Sequence, residues 1–293
     1  MDLSKIIIVP KRTKLELDMY LLGLNQEQVI EKYKKENVNI ERIIRSHENQ
    51  KANLDRLKKY FDDEQFYRRE NFTKDIADKA ELIISFGGDN HFQYVSHFVN
   101  SNILMGINSD PKSSEGALTY FNADHLEDII TKLKKDNFEV EEWVRLEVKL
   151  GNETYLATAE VFLGEDRRKM MSRYILELNG KKEEQKSSGL LVVTGAGSTG
   201  WYDSSCRYIY ENGNPFSKTS DYARFLATET YRGKLNGYKM IEGSLEKEQE
   251  IKLYSLADDK GIITIDCNED YDFSMGKTAL IKVSDKPLRV LKN

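Results

Sequence analysis

Short apolar runs alternate with amphipathic stretches in the first half of the chain. The runs at residues 5–10, 82–86 and 102–108 are rich in β-branched or long aliphatic residues, and each ends at a proline, glycine or asparagine. Such runs are typical of fully buried strands. Apolar residues recur at helical spacing over residues 25–60 and 91–99. This β-α-β order predicts a mostly parallel sheet with helices on its faces.

Two shorter elements are predicted between the first and second of these strands. The stretch EQFYRRE, residues 64–70, favours a further strand because its bulky residues suit a pleated surface. The stretch FTKDIADKAE, residues 72–81, favours a short helix with Thr73 as its N-cap.

The pattern changes after about Phe121. One more helix is followed by apolar residues that alternate with charged ones, and turn pairs then recur, notably Gly151-Asn152 and Asn179-Gly180. The predicted fold class is therefore an open parallel α/β domain over residues 1–125 and an antiparallel, β-rich, sandwich-like domain over residues 126–293. The last strand is expected either to stay in the second domain or to return to the sheet of the first.

Net charge, cysteine content and the lengths of the apolar runs indicate which partners and which cellular compartment to expect. The 293 residues carry a net charge of −5, which disfavours nucleic acid or an anionic membrane as the partner. Cys206 and Cys267 cannot form a disulfide framework, so a reducing compartment is expected. The apolar run before Pro10 is too short for a signal peptide, and no run reaches the length of a membrane span. We therefore expect a cytoplasmic protein.

The turn Gly87-Gly88-Asp89 follows a predicted strand and precedes a predicted helix. Glycines let backbone amides approach a phosphate, and the helix N-terminus favours negative charge. A carboxylate at this place would repel a bare phosphate, so it indicates either a divalent cation or a general base that accepts a proton from a hydroxyl. Phosphoryl transfer to an alcohol is the chemistry predicted. The alternative is a tight structural turn in which Asp89 caps the helix.

A second glycine pattern, Gly195-x-Gly197-x-x-Gly200, matches the dinucleotide-binding fingerprint in form. The fingerprint must open a helix within a parallel βαβ unit, whereas hairpin signals precede this one and only a weak helix follows it. A dehydrogenase is therefore the weaker hypothesis. The favoured interpretation is a loop whose hydroxyls face a ligand, with a purely structural turn as the alternative; those hydroxyls belong to Thr194, Ser198 and Thr199.

Other catalytic patterns are missing from the sequence. The four histidines, His47, His91, His97 and His125, lack partners at zinc spacing, and neither a G-x-S-x-G elbow nor a Walker A loop occurs. No set of protein side chains is assigned to a metal.

Taken together, the motifs resemble the NAD kinase family, most closely its mitochondrial-type branch, and the resemblance covers nearly the whole chain. The family's Gly-Gly-Asp-Gly is similar to residues 87–90, and the branch's vNTDPxxSEG is similar to INSDPKSSEG at residues 107–116. NEVFIGE is similar to AEVFLGE at residues 159–165, and KSSGLxxxTGTGSxxW is similar to KSSGLLVVTGAGSTGW at residues 186–201.

The resemblance implies ATP-dependent phosphorylation of the adenosine ribose 2′-hydroxyl of NAD to give NADP, with Mg²⁺ as cofactor and a homodimer as the assembly. Asp89 would be the catalytic base, and Glu160 would accept hydrogen bonds from ribose hydroxyls. The other residues implied in binding ATP or NAD are Gly87, Gly88, Asn90, His91, Asn108, Thr194, Gly197, Ser198, Thr199 and Trp201. Alternatives are a related kinase for another hydroxyl acceptor and a non-catalytic dinucleotide-binding protein; a lipid kinase is disfavoured by the acidic charge balance. The sequence does not decide between NAD and NADH as the acceptor, or between ATP and another compound as the phosphoryl donor.

Three residues depart from the family pattern. Asn90 replaces the fourth glycine of the turn, and we expect the turn to survive because asparagine tolerates a left-handed backbone. Ala159 replaces an asparagine, which removes one polar contact. Cys267 stands where a glycine usually follows an aspartate.

Overall fold

A computed structural model describes residues 1–210, 213–231, 233 and 237–292. The chain forms two compact units, one comprising Met1–Glu141 with the last strand, the other Glu142–Leu288. The division falls later in the chain than the boundary predicted after residue 125. The helix that follows the predicted boundary explains the difference, because its apolar face packs into the hydrophobic core of the first unit. The residues of that face are Leu126, Ile129, Ile130 and Leu133.

The first unit contains helices and the strands of one sheet. Its elements in chain order are β1 Ile6–Pro10, α1 Lys14–Leu22, α2 Gln26–Lys35, α3 Ile40–Leu57, α4 Lys74–Ala77, β2 Leu82–Gly87, α5 Asp89–Ser96, β3 Ile103–Asn108, β4 Phe121–Asn122, α6 Leu126–Lys134, β5 Glu139–Trp143 and, from the end of the chain, β18 Leu288–Lys292.

The sheet of the first unit runs in the order β1-β2-β3-β18-β5, with β4 paired to β3. The pairs β1/β2, β2/β3, β3/β4 and β3/β18 are parallel, which confirms the predicted mostly parallel sheet. Strand β2 is buried along its whole length, as its uninterrupted apolar run predicts. Its carboxyl end therefore places Gly87 at the edge where ligands bind in open α/β sheets.

Between β1 and β2 the structure confirms one prediction and corrects another. Thr73 caps α4, with its side chain accepting a hydrogen bond from the Ile76 amide. The predicted strand at residues 64–70 is wrong: two 3-10 turns, Asp63–Gln65 and Arg69–Asn71, flank a single bridge from Ile8 to Phe66. The side-chain amide of Gln65 donates to the carbonyl oxygens of Leu3 and Ile6. The chain therefore pairs with β1 at one bridge only and does not continue as a strand.

The second unit is built from strands with one α-helix described. Its elements are β6 Leu146–Leu150, β7 Glu153–Ala157, β8 Glu160–Glu165, β9 Ser172–Leu178, β10 Lys181–Ser187, β11 Gly189–Val193, α7 Trp201–Cys206, β12 Ala223–Thr228, β13 Glu242–Leu245, β14 Glu250–Ser255, β15 Gly261–Ile265, β16 Glu269–Asp272 and β17 Thr278–Val283.

Within the described residues these strands form two antiparallel sheets, ordered β10-β9-β14-β17-β6-β7 and β13-β12-β11-β8-β15-β16. Side chains from both sheets share one core, including Val148, Leu176, Val161 and Val192, so the predicted sandwich is confirmed. The predicted hairpin turn at Asn179-Gly180 joins β9 to β10, and both residues have positive φ, 53° and 73°.

None of the helices in the described ranges combines the length and apolar character that crossing a membrane requires.

Candidate functional site

Asp89 is the first residue of α5 and lies directly beyond the carboxyl end of β2. Its carboxylate accepts two backbone hydrogen bonds, from Leu118 N to Oδ1 at 2.8 Å and from Ala117 N to Oδ2 at 3.0 Å. Both oxygens are thus oriented by a neighbouring loop, and each retains a lone pair for a further donor. Asp89 does not cap its own helix, because Gly88 occupies the N-cap position without a side chain. The alternative prediction, in which Asp89 is the N-cap of the helix, is wrong.

The two glycines before Asp89 have different surroundings. A Cβ at Gly87 would lie 2.7 Å from Cδ2 and 2.9 Å from Cβ of His91, so Gly87 is required by packing. A Cβ at Gly88 would meet Ser114 Oγ at 3.2 Å, a contact that a small adjustment relieves. Gly88 is therefore the position of the pair where the missing side chain leaves room for a ligand.

His91 has a structural role in this turn. It is 1% exposed, and its Nε2 lies 2.8 Å from the carbonyl oxygen of Val9 in β1. Burial lowers the pKa of His91 to about 4, so the imidazole is neutral at pH 7 and Nε2 is the donor in that contact. The side chain ties β1 to the start of α5 and is not open to a bound nucleotide.

Asn90 lies in the first turn of α5 with its side chain exposed. None of the four residues 87–90 has positive φ, so the turn keeps its form at Asn90 without the left-handed backbone that was given as the reason. Right-handed helical geometry in the first turn does not require glycine, and the change to asparagine leaves the turn intact for that reason.

Asn108 ends β3 beside this turn, as predicted. Its amide donates to Ser114 O at 3.0 Å and its oxygen accepts from Asp110 N at 3.1 Å. Ser109 N also bonds to Gly87 O at 3.2 Å. Asn108 therefore holds the segment 109–118 in the conformation that presents two backbone amides to Asp89.

A cavity of about 500 Å³ opens beside these residues within the first unit. Gly88, Asn108 and Ser114 line it, and so do two cations, Arg42 and Lys14, of which Lys14 is paired with Asp18 at 2.5 Å. Its volume is in the usual range for small-molecule sites. Glycine, polar residues and cations around one cavity are the donor set that a phosphate-bearing ligand needs.

In the second unit Glu160 begins β8 and is 5% exposed. Burial, and secondarily the nearby Asp266 carboxylate, raise the pKa of Glu160 to about 7. The thiol of Cys267 donates to its Oε1 at 3.2 Å. A carboxyl group buried to this degree is a candidate for binding a polar ligand.

Asp266 fixes the backbone at the start of β8, where Glu160 lies, and sequence reasoning did not single it out. Its carboxylate accepts the amides of Thr158, Ala159 and Glu160 at 2.8, 2.7 and 3.0 Å. Both Asp266 and Cys267 have left-handed backbones, with φ of 50° and 51°. The available signal was the departure at Cys267, because an aspartate followed by a glycine is typical of a turn that needs a left-handed backbone.

The glycine loop at residues 194–200 does not present the hydroxyls that were expected to face a ligand. Thr194 is 0% exposed, and its Oγ1 donates to Thr158 O at 2.6 Å. Ser198 is also 0% exposed, and its Oγ donates to Gly195 O at 2.8 Å. The two hydroxyls build the loop, so the expectation is wrong for both, whereas Thr199 is exposed.

Gly197 and Trp201 complete this side of the second unit. A Cβ at Gly197 would lie 2.3 Å from Ala159 O and 2.9 Å from Glu160 Oε2, so only glycine fits against the start of β8. Trp201 is 36% exposed and packs on Phe162, with ring centroids 4.6 Å apart. An accessible indole fixed in this way offers a stacking surface for a planar ligand.

The predicted residues thus form two groups, one in each unit. Gly87, Gly88, Asp89, Asn90 and Asn108 lie together in the first, while Glu160 and the loop from Thr194 to Trp201 lie together in the second. Sequence reasoning also missed the amides of Ala117 and Leu118. In the described part of the chain, no group of three or more His, Cys, Asp or Glu side chains is arranged to hold a metal ion.

Comparison with known proteins gives consistent relatives. No family model matches the chain. It is 30% identical over 139 residues to the NAD kinase of Methanopyrus kandleri, covering 46% of this chain and 49% of that one. It is 30% identical over 157 residues to a probable NADH kinase of Oryza sativa subsp. japonica, covering 45% and 48%. The matched part therefore spans about half the length of the curated relatives.

The fold extends this similarity over the whole chain. The solved NAD kinase from Archaeoglobus fulgidus, in complex with ATP, matches with a TM-score of 0.65 and 17% sequence identity, covering 98% of this chain and 93% of that one. At this identity the match establishes the fold alone.

Proposed function

We propose that this chain, whose sequence relatives and fold support membership of the NAD kinase family, transfers the γ-phosphoryl group of ATP to the adenosine ribose 2′-hydroxyl of NAD. The observation that carries the proposal is the fixed Asp89 carboxylate. It lies beyond the carboxyl end of a parallel strand, and the residue before it, Gly88, lines a cavity that Arg42 also lines.

Asp89 is proposed to be the general base. Backbone amides of Ala117 and Leu118 set the direction of both carboxylate oxygens, so the group needs no reorientation before it accepts the hydroxyl proton. As the proton leaves, the ribose oxygen attacks the γ-phosphorus and the bond from that phosphorus to the β,γ-bridging oxygen breaks, which releases ADP. General-base catalysis by a positioned side chain contributes about 10²–10⁴ to the rate.

Glu160 and Trp201 are proposed to bind the dinucleotide. Glu160 is buried and its carboxyl group is suited to hydrogen bonds with ribose hydroxyls, while the partly exposed Trp201 ring provides a stacking surface. Thr194, Gly197 and Ser198 act indirectly, since their contacts shape the loop that leads to Thr199 and Trp201.

Mg²⁺ enters the proposal as the partner of ATP. Mg²⁺ is commonly held by one or two carboxylates together with substrate phosphates. Asp110 fits this requirement, because it is 4% exposed, lines the cavity with Gly88, and has an Oδ1 without a hydrogen-bond partner in the described residues. When bound, the ion would neutralise phosphate charge next to the attacking oxygen. A homodimer and a cytoplasmic location stay predictions.

The test is product identification with a matched pair of variants. Wild-type protein, ATP, Mg²⁺ and a panel of NAD, NADH and nucleosides are incubated, and products are identified by mass spectrometry; NADP is expected. Asp89→Asn should lower the rate by about 10²–10⁴. Asp75→Asn changes the same residue type in the first turn of α4 and should leave the rate unchanged. Unchanged turnover in Asp89→Asn would contradict the mechanism, and phosphorylation of another acceptor alone would contradict the substrate.

A further inference from the structure

Three polar side chains lie along one face of helix α3. Ser46, Gln50 and Asn53 are spaced four and three residues apart, and side chains at this spacing project in the same direction from a helix. The Asn53 amide donates to Ser109 O at 3.1 Å, and the Ser109 hydroxyl donates to Gln50 Oε1 at 3.3 Å. This polar face of α3 therefore holds the chain just beyond the carboxyl end of β3, where the proposed site lies.

Ser46 connects the same face to Asp110. Its hydroxyl donates to Asp110 Oδ2 at 2.5 Å and accepts a hydrogen bond from the Gln50 amide at 3.1 Å. Because Gln50 supplies the hydrogen that the Ser46 oxygen accepts, the hydroxyl proton of Ser46 is directed at the carboxylate. The Asp110 backbone is held as well, since its amide donates to Asn108 Oδ1 at 3.1 Å. Neighbouring groups thus fix both the backbone and the side chain of Asp110.

The other oxygen of this carboxylate is unpaired. Asp110 is 4% exposed, and its Oδ1 has no hydrogen-bond partner among the described residues. A buried acceptor without a donor is unfavourable, so this atom indicates a bound ligand that supplies a donor or a positive charge.

The position of Asp110 favours a divalent cation as that ligand. Of the described residues that line the cavity beside Gly88, Asp110 is the one carboxylate. A carboxylate repels bare phosphate oxygens but attracts a cation that those oxygens carry. Mg²⁺ takes oxygen ligands and is commonly held by one or two carboxylates together with substrate phosphates.

We propose that Ser46, supported by Gln50, is a positioning residue for Mg²⁺, because it engages Oδ2 of Asp110 and leaves Oδ1 for the ion that accompanies ATP. Hydrogen bonds of this kind orient a ligating carboxylate before the ion binds, which strengthens metal binding. The role deepens the proposed function and rests on it for the identity of the phosphoryl donor.

Calorimetry on the full chain without NAD measures the contribution of the ion separately from turnover. ATP is titrated once with excess Mg²⁺ and once with EDTA, and the ratio of the two affinities is the metal contribution. The proteins are wild type, Asp110→Asn, Ser46→Ala, Ser46→Thr and Ser101→Ala. Ser101 is the matched control, since it is exposed in the same unit and does not line the cavity.

The metal contribution should fall about tenfold or more in Asp110→Asn and about threefold or more in Ser46→Ala. Ser46→Ala should fold, because alanine is a better helix former than serine. Ser46→Thr retains the hydroxyl, so it should stay within about twofold of wild type, as should Ser101→Ala. In EDTA, Asp110→Asn should bind ATP at least as well as wild type, because the substitution removes a charge that repels phosphate.

An equal metal contribution in Ser46→Ala and Ser101→Ala would overturn the role of Ser46, as would a contribution in Ser46→Thr as low as in Ser46→Ala. An equal contribution in Asp110→Asn and wild type would overturn the metal assignment, and so would weaker binding of ATP by Asp110→Asn in EDTA. Failure of the proposed function has a different signature: a metal contribution that depends on Ser46, without any NADP product, would leave the role standing and contradict the NAD kinase activity.

Discussion

The Cys267 thiol donates a hydrogen bond to the Glu160 carboxylate, with 3.2 Å between Sγ and Oε1. Cys267 makes this contact from a left-handed backbone with φ of 51°, a conformation that is unfavourable by about 1–2 kcal/mol for residues with a Cβ. The residue thus combines local strain with a contact to the proposed ribose-binding group. Glycine would remove both the strain and the contact.

Three substitutions at Cys267 separate these effects. Cys267→Gly and Cys267→Ala both delete the thiol, so each should raise the KM for NAD by about two- to tenfold, the equivalent of one hydrogen bond. Only Cys267→Gly relieves the strain, so its free energy of unfolding should exceed that of Cys267→Ala by about 1 kcal/mol. Cys267→Ser retains a donor and should keep a KM near that of wild type. Equal KM values in all four proteins would show that the contact does not position Glu160.

The prediction from sequence was most successful where a local signal sufficed. Asn179-Gly180 specified its hairpin because the turn needs two residues that accept positive φ, and both have it. The buried strand β2 and the turn after it were likewise evident from an apolar run that ends in glycine. These features depend on neighbours in the chain.

The errors arose where a contact distant in the chain decides the role of a residue. Thr194 and Ser198 were expected to face a ligand, but their hydroxyls bond to the backbone of Thr158 and Gly195. Asp266 was not singled out, although it holds three amides more than one hundred residues earlier in the chain. Hydroxyl and carboxylate groups satisfy whichever partners the fold brings to them, and a single sequence does not record those partners.

Glu160 should impose a pH dependence on stability. Its pKa is raised from 4.5 to about 7, chiefly by burial, so the folded state binds the proton more tightly than the unfolded chain. The resulting stabilisation is fully present below about pH 4.5 and is lost as the pH rises through 7. We expect a loss of about 3 kcal/mol, since a tenfold difference in proton affinity corresponds to about 1.4 kcal/mol.

The measurement is the difference in free energy of unfolding between wild type and Glu160→Gln, from urea titrations between pH 4.5 and 8. A difference is needed because His91 acts in the opposite direction: burial lowers its pKa to about 4, so its contribution is lost as the pH falls. That contribution is common to both proteins and cancels. A difference that stays constant with pH would contradict the buried, protonated state of Glu160.

The adjacent glycines Gly87 and Gly88 should respond to alanine in different ways. At Gly87 the new methyl would lie 2.7 Å from Cδ2 of His91, whose ring is buried and bonded to Val9 O. Because the ring cannot move aside, Gly87→Ala should lower the free energy of unfolding by about 1–3 kcal/mol. At Gly88 the nearest atom is Ser114 Oγ at 3.2 Å, and the residue has negative φ, so Gly88→Ala should change stability by less than about 1 kcal/mol.

Ligand binding should show the reverse order. The methyl of Gly88→Ala would project at the wall of the cavity that Gly88 shares with Asn108 and Ser114, where the proposed site requires close approach of a phosphate to the backbone. We expect ATP affinity to fall about tenfold in Gly88→Ala, the loss typical of one charge-assisted hydrogen bond. Calorimetry with Mg·ATP and urea denaturation on the same two proteins measure both quantities. A Gly88→Ala protein that binds ATP as wild type does would show that the phosphates do not approach the chain at Gly88, and the donor would then have to be placed away from the Gly-Gly-Asp turn.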